Sequence, residues 1–145
     1  MDKILFGIIF STLFVFSGCV TKSFIRTDSA FIVFKTPNFK FADTSFLRYS
    51  KSTVTLEIYE SSNAVGTLEI SKKNICQGEF KCMSSQEFNK KYLHESYPDD
   101  ILYRIVTGAK LPKTLQKNGI VYNVDRGTTR FLDKKNSILI KIRKL

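Results

Sequence analysis

The chain has 145 residues, enough for one domain and short for two. Apolar residues make up 43% and charged residues 25%, which excludes a disordered, collagen-like or low-complexity chain. Lys and Arg outnumber Asp and Glu by 23 to 13, a formal charge of +10.

The chain opens on a nearly unbroken apolar run from Ile4 to Phe16. As a helix this run would be about 20 Å long, against about 30 Å for a bilayer core. It therefore has the length of a signal-peptide core, with Lys3 as its positive flank and Asp2 weakening that flank. The next residues, Phe16-Ser17-Gly18-Cys19, resemble the lipobox of bacterial lipoproteins, with Phe16 where Leu is usual. The resemblance implies a signal peptide over residues 1–18, diacylation of the Cys19 sulfur and attachment to a membrane through those acyl chains. Each buried methylene contributes about 0.8 kcal/mol, so two or three chains hold a protein effectively for good. Val20 stands where an Asp would be the inner-membrane retention signal of enteric bacteria. The resemblance thus favours the outer membrane, facing the periplasm, over the inner membrane or the cell surface. The rival reading is a buried N-terminal helix with an incidental Cys, but the run has no polar face to make it amphipathic. Residues 19–29 read as a lipidated tether and residues 30–145 as one periplasmic domain.

Beyond the tether, Ala30 to Phe41 is rich in Phe and Val and is interrupted by Thr36-Pro37-Asn38, a turn signal. Phe46 to Tyr49 resumes the strand pattern after Ala42-Asp43-Thr44. Thr53 to Tyr59 alternates, with Val54, Leu56 and Ile58 on one face. Ser61-Ser62-Asn63 turns the chain, and Val65 to Ile70 returns it, which predicts a hairpin. Next comes a loop bounded by Cys76 and Cys82. In an oxidising compartment a disulfide is the economical reading, worth about 2 kcal/mol in the chain-entropy model. Free or redox thiols and a zinc site are the alternatives, the last short of ligands because His94 is the only histidine.

The period then changes. Ser84 and Glu87 have capping-box spacing, and Phe88 and Tyr92 share a face of a short helix reaching about Leu93. A second helix is predicted from Pro98, with Asp99 and Asp100 in its first turn, the stripe Ile101, Leu102, Ile105 and Val106, and Gly108 as its stop. Leu111-Pro112 begins a link. Gly119 to Val124, Thr128 to Leu132 and Ser137 to Leu145 read as strands, with a turn at Asp133 to Asn136. Strands, two short helices in the middle, then strands again argue an α+β fold with a mainly antiparallel sheet.

The segment running from Tyr97-Pro98-Asp99-Asp100 through Gly108 to Leu111-Pro112, set after an early hairpin, is similar to the lid helix of the LolA/LolB lipoprotein-carrier family. The resemblance implies a curved, half-barrel-like sheet under the helices, and lipid or another lipoprotein as partner. A candidate apolar groove then draws on Phe31, Phe39 and Phe41 together with Ile101, Leu102 and Ile105, open under the Pro98–Thr107 helix. Core packing is the simpler account of the same aromatic residues. The rival architecture is an immunoglobulin-like sandwich with no groove, serving as a structural or interaction protein.

The inventory for catalysis is poor. The sequence has no Gly-rich phosphate loop, no His-Glu-x-x-His and no paired-carboxylate pattern, and His94 at a helix end reads as a surface residue. No cofactor, metal or nucleic-acid partner is expected. The scattered Lys and Arg read as a solvated surface with edge-strand protection, or as attraction to anionic head groups or envelope polymers.

Overall fold

A computed structural model describes residues 21–145 except 61, 62 and 79. The strands are β1 (Arg26–Lys35), β2 (Lys40–Tyr49), β3 (Val54–Glu60), β4 (Asn63–Ile70), β5 (Asn74–Gln77) and β6 (Lys81–Ser84), then β7 (Val121–Asp125), β8 (Thr128–Asp133) and β9 (Ile138–Lys144). Between the two groups lie α1 (Ser85–Tyr92), α2 (Ile101–Thr107) and α3 (Lys113–Lys117). All pairings are antiparallel, and the nine strands form one sheet in the order β6-β5-β4-β3-β2-β1-β9-β8-β7. The fold is α+β, a curved open sheet with three short helices. A single sheet excludes the immunoglobulin-like sandwich, which needs two. No helix among the described residues is long and apolar enough to cross a membrane.

Strand alternation decides which face is covered. Ala30, Ile32 and Phe34 of β1 are buried, and Ile32 and Phe34 stand opposite Ile142 and Ile140 of β9. Val54, Leu56, Ile70 and Ile75 extend the same apolar face across β3, β4 and β5. Helix α2 lays Ile101, Leu102, Ile105 and Val106 on it, all buried, and Phe131 and Ile138 complete the core. β1 has apolar residues on both faces: Ile32 and Phe34 are buried on the helix-covered one, and Phe31 and Val33 are half-buried on the other.

The strands differ from the sequence reading where pairing overrides local signal. β1 starts at Arg26, ahead of the expected Ala30, because Arg26 pairs with Tyr49. β2 runs unbroken through Ala42-Asp43-Thr44, since β1 pairs along its full length. The turn between them closes on Thr36, whose Oγ1 accepts from the Phe39 amide at 3.0 Å. The Cys loop is a hairpin: β5 and β6 are short and polar, so no alternation announced them. Gly78 turns that hairpin with φ 66°, a conformation that a side chain would strain.

The capping box at α1 is present in both directions. Ser84 Oγ accepts from the Glu87 amide at 3.1 Å, and the Glu87 carboxylate accepts from the Ser84 amide at 2.9 Å. Helix α2 begins at Ile101, after Asp99 and Asp100, and ends on Gly108 at φ 70°. Helix α3 was not expected. Its five residues carry no apolar period, and its buried anchor is Leu115.

Candidate functional site

The helix-covered face is not filled everywhere. Toward β5 and β6, where α2 no longer reaches, the sheet and α1 enclose an apolar cavity of about 100 Å³. Its floor is made by alternate residues of adjacent strands: Phe41 of β2, Leu56 and Ile58 of β3, Leu68 of β4, Ile75 of β5 and Met83 of β6. Register brings them together, with Leu68 opposite Leu56 on one side and Gln77 on the other, and Ile75 opposite Met83. Phe34, Phe39, Phe88 and Tyr92 form an aromatic wall. The Phe34 and Phe39 rings meet edge-on at 5.5 Å, Phe39 and Tyr92 at 6.5 Å, and Phe88 and Tyr92 lie 4.8 Å apart. Asn38 in the β1–β2 turn donates to the Lys91 carbonyl at 3.1 Å, tying that turn to α1.

The cavity opens into a wider cleft of about 590 Å³ that shares Phe39, Phe41, Ile58 and Gln77 and adds Lys40, Asp43 and Tyr59. An apolar bottom under a mixed polar mouth suits an occupant with a greasy end and a polar one. An engineered cavity of about 150 Å³ takes one benzene ring. The inner cavity therefore accommodates the end of one acyl chain or one apolar side chain.

The structure places the sequence-derived groove residues in three different settings. Phe39 and Phe41 line the cavity. Leu102 borders a void of only about 10 Å³, and Ile101 and Ile105 are closed in the core at 0% exposure. Phe31 is on the opposite face of the sheet, its ring centroid 5.8 Å from the Arg143 guanidinium carbon. The groove is thus beside α1 and not beneath α2, because α2 packs fully onto the interior strands. Sequence reasoning missed Leu68, Met83, Phe88 and Tyr92 as site residues. The β3–β4 alternation and the Phe88–Tyr92 spacing marked their faces, but not what those faces meet.

Cys76 and Cys82 are joined by a disulfide, directly opposite each other in the β5–β6 register with Cα atoms 3.9 Å apart. Cys19 and its lipobox lie outside the described residues. His94 sits on a second, polar cleft with Tyr97, Asp133 and Asn136, and its Nδ1 is 2.7 Å from Ser96 Oγ. There the Tyr97 hydroxyl donates to Asp133, and Asn136 donates to it from its side chain at 2.7 Å and its backbone at 3.1 Å. Burial alone would push the Asp133 carboxyl up. The bonds from Tyr97, from both groups of Asn136 and from the Lys135 backbone outweigh it and hold the group below its usual range. Burial and the same carboxylate push the Tyr97 phenol well above its ordinary value. Neither group is poised for proton transfer near neutral pH. Among the described residues no three His, Cys, Asp or Glu side chains cluster as metal ligands.

No protein-family model, curated protein or solved structure matches this chain significantly.

Proposed function

We propose that this protein is a lipid-anchored, non-catalytic envelope protein, held to a membrane through acyl chains on Cys19, that receives one apolar chain in the cavity beside α1. The observation that carries the reading is the cavity itself: a pocket walled by Phe, Leu, Ile and Met side chains, with Gln77 and the cleft at its mouth. Closing the aromatic wall over an acyl end removes apolar surface from water at about 25 cal/mol per Å². The polar cleft outside leaves a head group solvated. The lipobox resemblance supplies the address, with the outer membrane facing the periplasm as the favoured location.

Carrying a whole lipoprotein in the manner of the LolA/LolB family asks for more room than the inner cavity holds. That version of the reading requires α1 to part from β6. The rival, an interaction lipoprotein without ligand, draws on the filled core under α2, where Ile101 and Ile105 leave no groove.

Native mass spectrometry of the detergent-free protein separates these readings. The expected result is a non-covalent acyl lipid on the wild-type protein, lost from Leu68→Trp, whose indole occupies the cavity. Bare wild-type protein, or equal retention by the variant, removes the carrier reading and leaves the interaction one.

A further inference from the structure

The face of the sheet that the helices leave uncovered is chemically divided. On its β3–β4 side two carboxylates are matched: Glu57 pairs with Arg48 at 2.6 Å, and Glu69 pairs with Lys22. On β1, β2, β8 and β9 the same face carries the exposed cations Lys35, Lys40, Arg130, Lys141 and Arg143, and those strands place no carboxylate on it. None of these five makes an ion pair among the described residues. Asp125, on the outer strand β7, is the nearest acid by register and lies beside Arg126.

Two features make this more than a solvated surface. Lys141 stands directly opposite Arg130, and Lys35 directly opposite Lys40. Like charges at such positions repel and lower stability. Edge protection does not account for them, because β1, β2, β8 and β9 are interior to the sheet. Apolar side chains lie between the cations: Phe31 opposite Arg143, Val33 opposite Lys141, and Leu139 opposite both Lys35 and Leu132. Interleaved cationic and apolar groups on a broad face match a lipid head-group layer.

The start of the described chain is on the same face. Lys22 reaches Glu69, and the Phe24 ring centroid lies 5.5 Å from the Arg48 guanidinium carbon. Cys19 is three residues before Lys22, within roughly 11 Å of it at full chain extension. We propose that the uncovered face of β1, β2, β8 and β9 docks on the anionic phospholipid head groups of the membrane that holds the anchor, with the inner cavity on the side away from the bilayer and Lys40, at the rim of the cleft, among the docked cations. The orientation rests on the lipid-anchored reading; the charge on this face does not.

Amine footprinting of the native full-length chain tests it. The protein is bound to vesicles of phosphatidylcholine, or of phosphatidylcholine with phosphatidylglycerol, recovered by flotation and briefly acetylated, and each lysine is read by mass spectrometry. Lys35, Lys40 and Lys141 should react about fivefold more slowly on the anionic vesicles, the factor that one cation's typical attraction to such a surface represents. Lys73, Lys90 and Lys113, on turns and helices away from the face, should not change. Raising salt to about 1 M, where the screening length is about 3 Å, should erase the difference. The exposed charge reversals Lys141→Glu and Arg143→Glu together should free Lys35. Equal reactivity of face and control lysines on floating anionic vesicles overturns the proposal, as does protection by a soluble acidic polymer but not by vesicles. Flotation with anionic vesicles alone keeps the docking face and removes the anchor; flotation with neither removes both.

Discussion

Tyr97 donates its phenolic hydroxyl to Asp133, 36 residues along the chain, fastening the link between α1 and α2 to the end of β8. Both side chains are buried, and Tyr97 also meets Phe131 edge-on at 5.7 Å. Tyr97→Phe deletes one oxygen and leaves the carboxylate short of a donor, which should cost about 1–3 kcal/mol. Urea denaturation of the two proteins measures it through the midpoint at constant slope.

The same pair sets a pH limit. Asp133 ionises more readily folded than unfolded, so its contribution is present above the ordinary carboxylate range. That contribution begins to fade as pH falls past about 4 and is gone below the lowered folded-state value. Tyr97 is shifted upward, so its contribution holds below its ordinary value and is lost as pH rises beyond about 10. Asp133→Asn should flatten the acid limb of a melting-temperature profile while leaving the other carboxylates to titrate. An unchanged acid limb in that variant would refute this assignment.

Reducing the Cys76–Cys82 bridge should lower stability by about 2 kcal/mol. For a domain of this size that is a fall of roughly 5–10 °C in melting temperature, readable by calorimetry with and without reductant. Met83 of the bridged hairpin lines the cavity, so reduction should also speed release of a bound acyl probe.

Phe39 is partly exposed and closes the aromatic wall between Phe34 and Tyr92. Phe39→Ala should cost about 1–3 kcal/mol, the sum of two edge-on ring pairs. It should also weaken retention of an acyl lipid severalfold by opening the mouth. Chemical denaturation and dissociation kinetics of a fluorescent fatty acid report the two effects separately.

Ile105→Ala and Phe31→Ala distinguish the two faces of the sheet. Ile105 is fully buried on the sheet-facing side of α2, so its truncation should cost about 2–5 kcal/mol. Phe31 is half-buried on the uncovered face, and its loss should fall well below that. Equal costs would mean that the uncovered face is itself packed against something.

Most elements were legible because local chemistry was strong. The β3–β4 hairpin followed from alternation around a turn, α1 from the Ser84–Glu87 box, and the end of α2 from Gly108. What escaped was set by partners distant in sequence. Nothing near Arg26 says strand; its pairing with Tyr49 does. Lys113–Lys117 is helical although its single buried apolar anchor, Leu115, gives no period. The groove was misplaced for the same reason. Ile101, Leu102 and Ile105 show an apolar stripe, and a stripe looks the same whether it seals a core or roofs a cavity. Only the sheet order, which puts β5 and β6 beyond the reach of α2, decides between them.

That sheet order also dictates when the molecule can be finished. The meander β1–β6 forms from contiguous chain, but the far side of β1 stays bare until β9 has been made and swings back to meet it. Closing such a long loop is slow, so the chain remains incompletely folded for much of its emergence. The hazard is an interim strand with unsatisfied amides, ready to recruit a neighbouring copy before β9 arrives.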